Sequence, residues 1–315
     1  MRWRKLGKIF DPTACRLPIG YGEFAQSPQA VVFDDFVRVY CSTRERDGPD
    51  TFVSHISYID FDKAFTRIIG VAERPVIELG QLGCFDEHGI FPMSPLPHGD
   101  KIIAYTCGWS RRMSVPVETS TGYAVSVDNG RTFRKIGPGP IMSSSLHEPF
   151  LVGDSFVRVI DDIFHMWYIF GVRWTSQPDE PPARVYKIAY ARSEDGLSWN
   201  REGRQIISDE LNADECQALP TVIDHAGLYH MFFCYREATR FRNDPKRGYR
   251  IGYATSSDMR NWTRKLDPGI TVSSDGWDSE MICYPHAFRC DDKIYLLYNG
   301  NQFGRFGFGL AVWED

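Results

Sequence analysis

The sequence has no long apolar run, no basic tract and no cysteine pair at metal-binding spacing, and each absence excludes something. No apolar stretch approaches the ~18 residues a membrane span needs, so no membrane span is expected. Lys plus Arg is 36 against 41 Asp plus Glu, a net charge of −5, and the basic residues are scattered. No nucleic-acid partner is therefore expected. The start, Met1-Arg2-Trp3-Arg4-Lys5-Leu6-Gly7, has charges but no apolar segment behind them, unlike a signal peptide. None of the eight cysteines forms a C-x-x-C pair, which predicts buried reduced thiols and a cytoplasmic protein with no metal and no cofactor. There is no phosphate-binding Walker loop, no G-x-G-x-x-G turn, no G-x-S-x-G elbow and no H-E-x-x-H pair.

Aromatic residues, in contrast, are abundant: 14% of 315 residues, with 27 Gly and 19 Pro between them. That composition leans towards an all-β fold. One pattern recurs five times, an apolar run, a polar turn and an apolar-aromatic run, anchored at Pro28, Pro95, Ser155, Pro220 and Pro285. The intervals are 67, 60, 65 and 65 residues. Each copy predicts a β-hairpin. A third strand follows, clearest at Tyr123, Ile188, Ile251 and Phe308. Three of these strands run into a related turn: Ser126-Val-Asp-Asn-Gly, Ser193-Glu-Asp-Gly and Ser256-Ser-Asp-Met. A fourth strand begins at Phe133, Trp199 and Trp262. The N-terminal segment Trp3–Ile9 has the same fourth-strand pattern, while the C-terminus stops after a third strand. The expected architecture is a single domain over residues 1–315, a five-bladed β-propeller of four-stranded antiparallel blades. The N-terminal strand closes the ring by joining the last blade.

The segments leading into the five first strands converge at one mouth of such a ring, and they are acidic. They contribute Glu23 and Gln26 (in Tyr21–Gln26), Asp86, Glu87 and His88, His147 and Glu148, Glu215, and Asp278 and Glu280. Clustered carboxylates repel one another unless a ligand or cation offsets the charge. A second set follows the second strands: Arg44, Arg112, Arg173, Arg236, Arg242 and Asn301. Arginines beside carboxylates suit a polar ligand with anionic groups, a carbohydrate or sugar phosphate. Trp109, Trp174, Trp277 and Phe303 are candidate stacking partners for sugar rings. His88, His147 and His286 are expected near the mouth as hydrogen-bonding or acid–base groups.

The five repeats, the acidic lead-ins and the S-x-D-G-x-x-W turn together resemble the five-bladed propeller glycosidases. These are the invertase, arabinanase and levansucrase superfamily and the related mannoside phosphorylases. The segments Phe85–Pro92, Leu146–Val152, Asp214–Pro220, Trp277–Pro285 and Tyr298–Gly304 look like an uncharacterised glycosidase-like branch associated with surface-polysaccharide biosynthesis. The resemblance implies carboxylates from different blades acting at one mouth. Glu215-Cys216 resembles the Glu-Cys motif that carries the acid/base glutamate of invertases. The chain departs from that pattern in having no W-M-N-D-P-N-G and no R-D-P motif, and Asp11-Pro12 lies far ahead of the first repeat. The leading expectation is glycoside hydrolysis, with Glu215 as acid and Asp86 or Glu87 as base or nucleophile. Glu280 and Asp278 would tune these groups and bind hydroxyls. A glycoside phosphorylase or glycosyltransferase on the same fold is the alternative, motivated by the arginines. A non-catalytic glycan-binding propeller is the third reading.

Overall fold

The computed structural model describes residues 2–15, 17, 22–49, 51–177 and 180–314; Tyr21 lies outside the described residues. The strands are β1 (Arg2–Phe10), β2 (Gln26–Val32), β3 (Phe36–Arg46), β4 (Phe52–Asp62), β5 (Ile68–Val71), β6 (Gly89–His98) and β7 (Lys101–Arg111). They continue with β8 (Val117–Ser126), β9 (Arg134–Lys135), β10 (Val152–Ile160), β11 (Ile163–Gln177), β12 (Glu180–Ser193), β13 (Asn200–Arg201) and β14 (Cys216–His225). The last are β15 (Leu228–Arg236), β16 (Arg250–Ser256), β17 (Thr263–Lys265), β18 (Cys283–Cys290), β19 (Lys293–Asn299) and β20 (Phe308–Glu314). Helix is confined, among the described residues, to the short α1 (Asn301–Gly304) and a 3₁₀ turn at Pro245–Arg247.

The chain is all-β, and every sheet is built from antiparallel meanders. Three sheets have four strands each, in the orders β10-β11-β12-β13, β14-β15-β16-β17 and β1-β20-β19-β18. The fourth holds β2-β3-β4-β5 and β6-β7-β8-β9, joined by one parallel bridge between Ser54 and Gly89. Gly89 sits there at φ +152°, and a Cβ on it would lie 2.4 Å from Trp109 Nε1 and 2.7 Å from the Ser54 nitrogen. The N-terminal β1 pairs antiparallel with β20, as the fourth-strand pattern predicts. First strands pack on one another in cyclic order: β2 on β6, β6 on β10, β10 on β14, β14 on β18, and β18 back on β2.

The predicted turns form as their chemistry requires. Ser126, Ser193 and Ser256 each accept a backbone N–H from further along the turn and donate to Asp128, Asp195 and Asp258. The aromatic after each turn packs edge-on against a second-strand aromatic of the preceding meander. Phe133 meets Tyr40 at 5.7 Å, Trp199 meets Tyr105 at 5.8 Å, Trp262 meets Trp167 at 6.2 Å and Trp3 meets Phe232 at 5.2 Å. Tyr40 and Tyr105 also donate across the same junctions, to the Gly130 and Gly196 carbonyls. A repeated aromatic thus does two things, filling the seam and fixing its register.

One sequence marker shifts. Every first strand carries a two-residue bulge, at 27–28, 91–92, 154–155, 219–220 and 284–285. The second falls at Phe91-Pro92, whereas Pro95 lies in regular pairing opposite Ala104. The true anchors are therefore Pro28, Pro92, Ser155, Pro220 and Pro285, and their intervals even out to 64, 63, 65 and 65. Three prolines crowd β6, and only the pairing register tells them apart.

Candidate functional site

Four of the lead-in acids pair with cations within their own sheets. Asp86 is fully buried and pairs with Lys135 at 2.7 Å. Glu148 is buried against Arg201 at 2.7 Å and accepts from the Tyr168 hydroxyl. Glu215 is fully buried, pairs with Arg264 at 2.5 Å, and accepts from the Glu210 and Leu211 nitrogens and Gln217. Asp278 is buried against Lys5 at 2.7 Å and the Tyr298 hydroxyl at 3.1 Å. The four cations hold one register, two residues after Phe133, Trp199, Trp262 and Trp3. Each acid ties the loop ahead of the first strand to the fourth strand of the same meander. Asp86 and Glu215 are thus both committed to ion pairs inside the protein.

The other predicted residues scatter. Glu23 pairs with Arg305 at 2.7 Å. Glu87 lies 3.4 Å from His88 and accepts from the Gly83 nitrogen. His88 stacks behind Trp109, ring centres 5.8 Å apart. Glu280 and His147 are exposed. Arg112 pairs outward with Glu118, and Arg173 with Asp214. Asn301 accepts from the Glu280 and Met281 nitrogens, so it shapes a loop. His286 is buried between Phe156 and Phe288, where burial pushes its pKa down to about 4 and keeps it neutral. Trp277 stacks on Tyr298 at 5.2 Å.

What the fold does gather is a cavity of about 750 Å³ walled by arginine and aromatic side chains. Gln26, Arg44, Trp109, Arg236, Arg242 and Phe303, all candidates in the sequence, line it. Arg184, Phe91, Phe241, Tyr249 and Tyr284 also line it, and sequence reasoning missed them. A second lobe of about 440 Å³ shares Arg184, Arg236, Phe241 and Arg242 and adds Trp174. Arg111 is also on the wall, but Asp47 neutralises it at 2.8 Å. Arg44 donates to Gln26 at 2.9 Å and lies over the Phe24 ring. Burial lowers its pKa. Arg236 and Arg242 both lie on the Phe241 ring, at 3.6 and 4.4 Å. Arg236 is buried, donates to the Glu237 and Ala238 carbonyls and the Tyr186 hydroxyl, and leaves its Nε without a partner among the described residues. Desolvation, and then the like charges of Arg184 and Arg236, push the Arg242 guanidinium below its ordinary value. Among the described residues the main cavity is lined by no carboxylate.

One acid, Asp154, is buried in the third first strand, close enough to Arg184 to feel its charge. The first residue of each bulge is Ser27, Phe91, Asp154, Leu219 and Tyr284, and four of them share a positive φ of 48–56°. That conformation is costly for non-glycine residues and recurs at functional sites. Phe91 and Tyr284 line the cavity from this position, and Asp154 holds it in the third meander. Burial raises the Asp154 pKa to about 7, a rise only partly offset by Arg184, the Leu219 N–H and the Cys107 thiol. The preceding Gly153 packs closely on Cys107, where a Cβ would meet Sγ at 2.4 Å. The signal was present in the sequence as the residue before each anchor, where Asp154 is the single acid in five. Among the described residues no three His, Cys, Asp or Glu side chains converge as a metal site. No described helix is long and apolar enough to cross a membrane.

Uncharacterized protein Rv1502 of Mycobacterium tuberculosis (strain ATCC 25618 / H37Rv) is 34% identical over 323 residues, covering 100% of this chain and 100% of that protein. The chain belongs to the family of this mycobacterial protein. No family model matches it. A solved glycoside hydrolase superposes with a TM-score of 0.76 at 16% identity, over 99% of this chain and 91% of that one. The β-1,2-mannobiose phosphorylase from Listeria innocua, in complex with β-1,2-mannobiose, gives 0.65 at 12% identity over 94% and 90%. The fold is that of the propeller glycoside hydrolases and mannoside phosphorylases.

Proposed function

We propose that the chain is a single five-bladed propeller domain that processes glycosides, and that it does so by phosphorolysis. The observation that carries this reading is a main cavity walled by arginines and, among the described residues, lined by no carboxylate, with Glu180 at the second lobe and the buried Asp154 within reach of the Arg184 charge. Hydrolysis by the usual route needs two carboxyl groups, one to protonate the leaving oxygen and one to attack or to activate water. Phosphorolysis needs only the first, because phosphate is the nucleophile. The five meanders and the cyclic packing of their first strands support the ring, and the fold shared with a mannobiose phosphorylase supports the chemistry.

In this mechanism a phosphate oxygen, held by guanidinium groups, bonds to the anomeric carbon as the glycosidic C–O bond breaks. Asp154, poised at a pKa of about 7, gives its proton to the departing oxygen. The products are a glycosyl phosphate of inverted configuration and the shortened saccharide. The carboxylate regains a proton from phosphate or water. The aromatics Trp109, Tyr249 and Phe303 offer faces for sugar rings. The test is to incubate the protein with a panel of β-linked disaccharides, with and without inorganic phosphate, and to look for glycosyl phosphate. Phosphate-dependent product that is lost in Asp154→Asn supports the reading. Equal turnover without phosphate, or full activity in Asp154→Asn, refutes it.

A further inference from the structure

The cavity holds more positive charge than one phosphate can balance. Arg44, Arg184, Arg236 and Arg242 line it, and among the described residues none of the four forms an ion pair with a carboxylate. Asp154 is buried, and burial raises its pKa to about 7 against the opposing charge of Arg184. One phosphate carries roughly −1.5 to −2 at neutral pH; the second lobe adds one acid, Glu180, and one further arginine, Arg240, so about two positive charges remain unanswered once it binds.

The placement of these charges is uneven. Arg44 projects from β3 and is bound to Gln26. Arg184 is on β12, Arg236 ends β15 and Arg242 follows it, and all three line both lobes of the cavity. Like charges are held together there, with Arg236 and Arg242 both against the Phe241 ring. The buried Arg236 Nε has no partner among the described residues. Crowding three guanidiniums costs free energy that an anion would offset, and a fork of N–H groups suits the oxygens of a phosphoryl group.

We propose that the saccharide itself carries a phosphoryl group, seated on Arg184, Arg236 and Arg242 across the two lobes, in addition to the phosphate consumed in the reaction. The proposal deepens the phosphorolytic reading and rests on it for the role of the second anion. The shared chemistry is a phosphoryl group attached to a sugar, present either as a sugar monophosphate or as a nucleoside diphosphate sugar.

Calorimetric titration with mannose, mannose 6-phosphate, GDP-mannose and inorganic phosphate tests it, the sugar ligands being titrated with phosphate already saturating. A sugar phosphate or nucleotide sugar that binds at least tenfold more tightly than mannose supports the proposal, and whichever of the two does so names the source. Arg242→Gln should weaken that binding about tenfold and Arg242→Lys should restore part of it, while Arg260→Gln on the outer surface changes nothing. Should the Arg242 variants fail to fold, the wild-type protein still decides: affinity for the phosphorylated sugar must fall steeply with salt, and affinity for mannose must not. Equal affinities for mannose and its phosphorylated forms overturn the proposal. Salt- and Arg242-dependent binding without phosphate-dependent turnover would uphold the anion site and refute phosphorolysis, so the two failures are separable.

Discussion

Replacing Glu215 separates bracing from catalysis. Its carboxylate is fully buried and holds Arg264 at 2.5 Å, two backbone N–H groups of the loop ahead of β14, and Gln217. The Arg264 side chain is itself only 7% exposed. Glu215→Ala leaves that guanidinium buried with Glu210 at 3.2 Å and the Ser208 carbonyl at 2.8 Å, and orphans the two N–H donors. Removing one partner of such a pair costs about 3–5 kcal/mol. With an unfolding entropy of ~2.1 cal/mol/K per residue, a chain of this length should lose roughly 5–8 °C in Tm. Thermal and urea unfolding of Glu215→Ala, Arg264→Ala and the double variant measure this. The double variant should be clearly less destabilised than the two single losses added together, because the second truncation removes the stranded charge. A Glu215→Ala protein with an unchanged Tm and abolished turnover would refute the bracing role and restore Glu215 as the acid.

Asp154 imposes a pH dependence. Its pKa in the fold, about 7, lies above the ordinary 3.8, so the folded state binds the extra proton between these values. Stability therefore falls as pH rises from about 4 to 7, by up to ~1.4 kcal/mol per pH unit, and is level above that. Urea midpoints should trace this slope in the native protein and lose it in Asp154→Asn. Gly153→Ala places a Cβ 2.4 Å from Cys107 Sγ. Overpacking there should cost about 1–3 kcal/mol and should lower turnover further by displacing Asp154, readable as a fall in kcat beyond the loss of folded protein.

Much of the fold was legible because the same local chemistry recurs. Ser-x-Asp turns, aromatics at the start of each fourth strand and a detached fourth strand at Trp3 each had one structural solution. The second repeat was misplaced because Pro92, Pro95 and Pro97 all fit the pattern, and only hydrogen-bond register distinguishes a bulge from a regular pair. The site was less legible. A lead-in acid looks the same whether it faces a substrate or a cation. The distinguishing signal was the basic residue two positions after each aromatic, at Lys5, Lys135, Arg201 and Arg264. Spacing does not tell them apart either: Glu23, Glu215 and Glu280 each precede their anchor by five residues, yet Glu215 is buried and Glu280 is exposed. Arg184 escaped notice because it projects from a third strand, β12, and not from the end of a second one.

The most direct test of the reaction is the phosphate dependence of glycosyl transfer, followed from pH 5 to 9 with a turned-over saccharide. Phosphorolysis by Asp154 predicts glycosyl phosphate of inverted configuration, a kcat/KM that declines above pH 7, and loss of both in Asp154→Asn. Release of free sugar at a rate indifferent to phosphate, with the same pH profile in Asp154→Asn, would contradict it.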